Sequence, residues 1–305
     1  MSEVEVRPTP ALVRRLLAEQ LPGPLRHLGA EPVRRAAQGR DNAVFRLGDS
    51  HAVRLPLRRA AVPCLRRELR WTARASAPLA ALGLDAPRPL FAGRPGAGYP
   101  WPWAVLPWIE GEAVALLPVP RRDRLAADLA RALAALHVPA PSEAPRNPFR
   151  GVPLVDRLDA VPPRWPAVAD VLGPGRAEHL RSAVDDGLAA VPWDRPPVWL
   201  HGDPHPWNLV HRRGRLAGLI DYGDVCAGDP ASDLAAGWLT LDPSQRAVFR
   251  GVLDAGGTHD DDAWRRARAW AALLVSALVA DQHSSRRFGA VVQHAATQLE
   301  SSPHL

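Results

Sequence analysis

One stretch constrains this chain more than any other: HGDPHPWNLV, His201–Val210, and, after a few basic residues, LAGLIDYGDVCAGDPASDLA, residues 216–235. It sets a carboxylate, Asp203, five residues ahead of an amide, Asn208, and puts a second carboxylate, Asp221, directly after the apolar run Leu216–Ile220. Gly214 marks a hairpin turn, Gly218–Ile220 reads as the end of a strand, and Trp199–Leu200 and Leu209–His211 read as backbone framing the loop. This is the polar skeleton of a phosphoryl-transfer site. A nucleotide triphosphate brings several negative charges, so a hard cation such as Mg²⁺ must be held by oxygen ligands, which Asn208 and Asp221 supply. A separate carboxylate must accept the proton of the attacking hydroxyl, and the five-residue offset leaves Asp203 for that task.

The spacing is Asp, four residues, Asn, and then Asp–aromatic–Gly at Asp221, Tyr222 and Gly223, with Gly202 before the first Asp and GDPASDLA after the last. With these features the stretch resembles the aminoglycoside and macrolide phosphotransferase family. The resemblance implies an α+β, bilobal, protein-kinase-like fold: a small β-rich lobe over residues 1–107, a linker over 108–112 and a larger, mainly helical lobe over 113–305. It also implies transfer of a γ-phosphoryl group from ATP or GTP to a small-molecule hydroxyl, with Mg²⁺ as cofactor. The likeness runs over residues 30 to 290 by order of elements and is most specific from His201 to Asp233. Gly223–Gly228 is too short for a regulatory activation loop, which favours a constitutively assembled site.

Upstream, residues 8–22 place Leu12, Leu16, Leu17 and Leu21 on one helical face and end at Pro22 and Gly23. From Val33 the pattern becomes strand-like, and Gly48, Asp49 and Ser50 join two β runs into a hairpin. Gly39–Asn42 forms the turn before the second run, where backbone N–H groups can lie over phosphates. Arg54 stands in the strand HAVRLP where such kinases carry a lysine, so the resemblance implies that Arg54 grips the phosphates; the alternative is an exposed strand arginine. In PCLRRELRWTARA, Leu65, Glu68, Leu69 and Thr72 share a helical face. An inward carboxylate needs a partner, and Glu68 has either Arg54 or, locally, Arg67 or Thr72. Trp103–Leu106 reads as the last strand of the first lobe, and Pro107–Gly111, with Trp108 and Ile109 at its centre, as the connector implied to lend backbone groups to the purine. Trp101, Trp103 and Trp108 are expected in packing roles rather than stacked on a base.

At 305 residues and 47% hydrophobic, the chain can bury a large core. It has no apolar run of eighteen or more residues and no basic-then-apolar leader, so a cytoplasmic protein without membrane contact is expected. Cys64 and Cys226 are too few for a disulfide framework. All of the positive charge is arginine, with no lysine, at a net charge of +6. The arginines are dispersed and accompany no nucleic-acid-binding signature, so no nucleic-acid partner is expected.

In the second lobe, Leu125, Leu129, Leu133 and Leu136 form a leucine stripe, with His137 ending the helix in a capping or packing role. The proline-rich residues 138–175 either wall the acceptor pocket or pack as loop. His201 is expected to brace the catalytic turn, and Asp224 to assist at the metal or bind structurally. Asp229 and Asp233 are expected to fix the loop and cap the helix that follows. Asp260–Asp262 either start the last long helix or line a pocket for a cationic substrate. The acceptor is expected to be an antibiotic, such as an aminoglycoside or macrolide, with a metabolite such as choline or homoserine as the alternative. A kinase-like protein that binds nucleotide without catalysis is a third reading.

Overall fold

The structure is a computed structural model, and it describes residues 4–160, 162–257, 259–281 and 285–300. Helix α1, Pro10–Gln20, is capped by Thr9, whose hydroxyl accepts from the Leu12 N–H at 3.2 Å, and it buries Val13, Leu16 and Leu17. Strands β1 (Val33–Gln38), β2 (Asn42–Leu47) and β3 (His51–Pro56) form two successive antiparallel hairpins, turning at 39–41 and 48–50 as the Gly signals predict. Helix α2 spans Val62–Ala75, and β4 (Phe91–Gly93) and β5 (Trp103–Pro107) complete an antiparallel sheet in the order β1-β2-β3-β5-β4. Alternation in β2 puts Ala43, Phe45 and Leu47 inward, where they meet Leu16, Val53, Leu55, Trp103 and Val105 in one apolar cluster. Trp103 is fully buried there, a packing role as expected.

Beyond β5 the chain makes β6 (Glu112–Ala113), α3 (Asp123–Leu136), α4 (Trp165–Leu172), α5 (Pro174–Ala189) and β7 (Val198–Leu200). A hairpin of β8 (Leu209–Arg212) and β9 (Arg215–Leu219) follows, turning at Arg213 and Gly214, both with positive φ. Then come β10 (Cys226–Gly228) and helices α6 (Ala231–Leu234), α7 (Ala236–Thr240), α8 (Pro243–Asp254), α9 (Asp261–Ala280) and α10 (Ser285–Glu300). The leucine stripe of α3 is buried as its period requires: Leu125, Leu129, Leu133 and Leu136 are each at most 1% exposed. Each such burial is worth about 1.5–3 kcal/mol.

Asp260 caps α9 by accepting from the Ala263 N–H at 2.8 Å, so the acidic run starts a helix, but a further one, α10, follows it. Asp261 and Asp262 pair with Arg250 and Arg265, which removes them as an acidic lining for a cation.

Two features tie the β-rich lobe to the helical one. Trp71, Ala75 and Leu79 belong to the large helical core and not to the core of the sheet. The Asp85 backbone also bonds to β9, with Asp85 N–H to Ala217 O at 2.9 Å and Leu219 N–H to Asp85 O at 3.2 Å.

Candidate active site

The β8–β9 hairpin explains why residues 203, 208 and 221 converge. Leu209 pairs with Leu219, so Asn208 and Asp221 leave the same end of the hairpin, and the Ile220 N–H donates to Asn208 O at 2.9 Å. The Asn208 side-chain amide donates to the Asp203 carbonyl at 3.0 Å. That bond consumes an N–H and leaves the amide oxygen as the end open to an ion. Asp221 takes φ +65°, a left-handed conformation that turns its half-exposed carboxylate away from the strand.

The loop backbone is braced from beneath. Asp233 is fully buried and accepts from the N–H of His201 at 2.8 Å and of Gly202 at 2.9 Å. His201 Nε2 lies 3.0 Å from Ile220 O, while the Asp203 N–H donates to His201 Nδ1 at 3.3 Å. That pattern requires the neutral tautomer with its proton on Nε2, and burial lowers the His201 pKa in agreement. Gly202 has φ +90°, and a Cβ there would lie 2.2 Å from the Asp224 carbonyl, so only glycine fits. Asp229 accepts from the Ala231 N–H at the start of α6 at 2.9 Å and pairs with Arg266 at 2.8 Å, while the N-cap position itself is Pro230. His201 and Asp233 thus brace the loop as expected, but Asp233 lies within α6 and does not cap it, and Asp229 ties the start of α6 to Arg266 of α9.

On the nucleotide side, Arg54 is buried and bridges two carboxylates: Nη1 to Glu68 Oε1 at 2.9 Å and Nη2 to Asp221 Oδ1 at 2.6 Å. Thr72 bonds the Glu68 backbone carbonyl and Arg67 bonds Gly223 O, so neither competes for the Glu68 carboxylate. Burial pushes Glu68 up to about 7 despite the nearby guanidinium. Burial would lower Arg54, but Asp221 and Glu68 outweigh it and hold the guanidinium charged. Each Nη has a second hydrogen beyond these bonds.

Asn42, Trp108 and Ile109 are the other residues expected from the sequence on the nucleotide side. Asn42 opens β2 with its Oδ1 buried and unpartnered, and its carbonyl takes the Gly39 N–H at 2.9 Å. The Trp108 backbone N–H is committed to Ser50 O at 2.8 Å, and its ring lies under Arg46 at 4.2 Å. Ile109 is buried against Val210 and Ala217, which with the partly buried Ile220 make an apolar floor next to Asp221.

On the acceptor side, Asp203 has two partners that sequence reasoning missed. Arg150 Nη2 lies 3.2 Å from Oδ1, and His205 Nε2 lies 3.3 Å from Oδ2. Burial alone would raise the Asp203 pKa; His205 and Arg150 outweigh it and hold the carboxyl far below the ordinary carboxylate range. Asn147 donates to Asp224 Oδ1 at 2.8 Å, which fixes Asp224 as a structural anchor of the loop. Arg150 reaches the loop because Gly151 and Gly228 pack backbone to backbone: a Cβ on Gly228 would lie 2.1 Å from Gly151 O, and one on Gly151 2.5 Å from Leu200 Cδ1. The only signal in the sequence was an arginine followed by glycine inside a proline-rich segment, with no period to aim it.

The donor set fits Mg²⁺, which is usually held by one or two carboxylates together with substrate phosphates rather than by a full protein cage. Asp221 and the Asn208 amide oxygen are such a pair, and no cluster of three or more His, Cys, Asp or Glu residues suited to a metal occurs among the described residues.

Comparison with known proteins follows the same lines. Residues 32–270 match the family described as the Phosphotransferase enzyme family. A homoserine kinase of Rhodospirillum rubrum is 32% identical over 163 residues, 52% of this chain and 48% of that protein. The chain spans about half the length, or less, of the curated relatives it matches. Among solved structures, the GDP and kanamycin complex of APH(2")-IIia aligns over 88% of this chain and 92% of that one, at a TM-score of 0.60 and 19% identity. The macrolide 2'-phosphotransferase MphH of Brachybacterium faecium aligns over 91% and 93%, at a TM-score of 0.55 and 18% identity. At such identities the structural likeness establishes the protein-kinase-like fold. The match across residues 32–270, which spans the sheet, the connector and the whole catalytic loop, establishes the rest: this chain belongs to the phosphotransferase enzyme family.

Proposed function

We propose that the protein transfers the γ-phosphoryl group of a nucleoside triphosphate to a hydroxyl of a small molecule. The observation that carries this reading is the Asp203 carboxylate, kept ionised by Arg150 and His205 on a loop that also brings forward Asn208 and Asp221. Asp203 accepts the hydrogen bond of the acceptor alcohol and aims its oxygen at the γ-phosphorus. As the new O–P bond forms and the bond to the β-phosphate oxygen breaks, the alcohol proton passes to Asp203 and then to solvent. A carboxylate with so low a pKa is a weak base, so most of its contribution is orientation, with proton transfer late, as suits a loose transition state. Arg54, positioned by Glu68, steadies the α- and β-phosphates, and Ile109 with its neighbours supports the base. Mg²⁺, held by Asn208 and Asp221, would neutralise charge on the phosphates.

Of the two acceptor classes, a metabolite is favoured over a polycationic antibiotic, because the group beside Asp203 is an arginine. A purely nucleotide-binding role is disfavoured by the complete set Asp203, Asn208 and Asp221. The test is nucleotide consumption over a mixed panel of antibiotics and hydroxylated metabolites, run with the parent and with Asp203→Asn. Loss of an acid–base group of this kind costs about 10²–10⁴ in rate. Equal turnover by the two proteins would refute the assignment.

A further inference from the structure

Behind Arg150 lies a small recess of about 20 Å³, lined by Arg150, Arg157, Arg164, Trp270, Leu273, Leu274 and Ala277. That is room for about one water-sized group, such as one oxygen of a head group, and not for a ring. Arg150 is both a wall of the recess and, through Nη2, the partner of Asp203 at 3.2 Å, so one guanidinium links the recess to that carboxylate.

The charge lining it is unbalanced. Arg150 has Asp203, but neither Arg157 nor Arg164 forms an ion pair with a carboxylate among the described residues. Arg157 donates to Pro148 O at 3.3 Å and lies over the Phe149 ring at 5.1 Å, and Arg164 reaches only the Ser276 hydroxyl at 3.5 Å. The acids on the same short segment, Asp156 and Asp159, are exposed. Burial, and next the charge of Arg150, depress the pKa of both guanidiniums. A second donor lacks a partner: the Trp270 Nε1–H is buried with no acceptor, in a side chain that is 1% exposed. Partly buried guanidiniums that repel one another over an apolar floor are stabilised when an anion with several acceptor oxygens enters.

We infer that this recess anchors an anionic group of the acceptor, a carboxylate or a phosphate, so that the substrate is a small hydroxylated acid whose hydroxyl lies at Asp203. The same lining repels a polyamine sugar. The inference rests on the phosphotransferase reading for the hydroxyl, but not for the anion.

The test uses matched acceptors that share a hydroxyl and differ in charge: glycerate against methyl glycerate, glycerol phosphate against glycerol, with homoserine and kanamycin alongside. The expected result is a kcat/KM at least about tenfold higher for the acid of each pair, roughly what a charge-assisted contact contributes. The pair with the larger ratio identifies the head group as carboxylate or phosphate. Arg157→Gln with Arg164→Gln removes the preference, mainly through KM, and Arg157→Lys with Arg164→Lys retains most of it. Arg181→Gln, on the outer face of α5, is the control for a simple change of net charge. Transfer that favours the uncharged or cationic partner, or a preference that survives the double glutamine variant, overturns the inference and leaves the phosphotransferase reading standing.

If no acceptor is phosphorylated, calorimetry with glycerate and glycerol phosphate, in the presence of a non-hydrolysable nucleotide, separates the two ideas. Binding lost in the double glutamine variant upholds the anion site while the phosphotransferase reading fails. No binding by the parent overturns the inference.

Discussion

The two sides of the cleft use the same residue type to opposite ends. On the side proposed for the nucleotide, Arg54 is enclosed between the fully buried Glu68 and the half-exposed Asp221, so one cation faces two carboxylates. On the acceptor side, Arg150 faces Asp203, while Arg157 and Arg164 stand behind it without a carboxylate. A guanidinium enclosed by carboxylates is a fixed part of the scaffold, and losing it strands buried charge. A guanidinium without one is a standing demand for an anion. The number of arginines is therefore a poor guide to their roles, whereas the burial of each and the identity of its partner separate them.

The largest way to break this contrast is Arg54→Met. It leaves Glu68 buried without its cation, and removing one partner of a buried pair typically costs about 3–5 kcal/mol. A urea denaturation midpoint unchanged from the parent would show that Arg54 is not the structural pair the geometry describes. An equivalent change on the other side, Arg150→Met, is expected to cost less stability, because Asp203 keeps His205 and is partly exposed. Its main effect is on ionisation. The Asp203 pKa should rise toward the ordinary carboxylate value of roughly 4, bringing an acid limb into the measurable range of the rate profile. A limb in the same place as the parent's would separate Arg150 from the chemistry.

The smallest effect concerns pH. Asp203 has a depressed folded pKa, so its stabilising ionisation is complete above the unfolded value and is lost only as pH falls through the folded one. It cannot set a limb near neutrality. Glu68, pushed up to about 7, can: below that pH it is protonated, Arg54 loses half of its anchorage, and KM for nucleotide should rise. Glu68→Gln should abolish that limb, and a limb persisting in this variant would assign it to another group.

Much of the site was legible because it is local. Asp203, Asn208 and Asp221 belong to one loop and one hairpin, and a hairpin of set register must bring its two ends together. Arg54 and Glu68 were legible through period: one lies in a strand, the other shares a helical face with Leu65 and Thr72, and an inward carboxylate requires a cation. Arg150, Asn147 and the recess were not legible. Asn147 and Arg150 lie in a proline-rich segment with neither helical nor strand period, Arg150 is brought in by the contact of Gly151 with Gly228, and the recess joins Arg150, Arg157 and Arg164 to residues of α9 far away in the chain. The same holds for Trp108, whose N–H is taken by Ser50 at the end of the β3–β5 pairing, where composition is silent.

Taken alone, the order of residues set out the catalytic loop by its spacing and the buried helical faces by their period; the two-lobed α+β architecture was implied by the family resemblance, and Arg54 was one of three candidate partners for Glu68. Tertiary structure alone decided what stands around Asp203 and which arginines lack a carboxylate. Pairing between charges is set by distance in space, and no periodicity in the chain encodes the approach of two loops separated by dozens of residues.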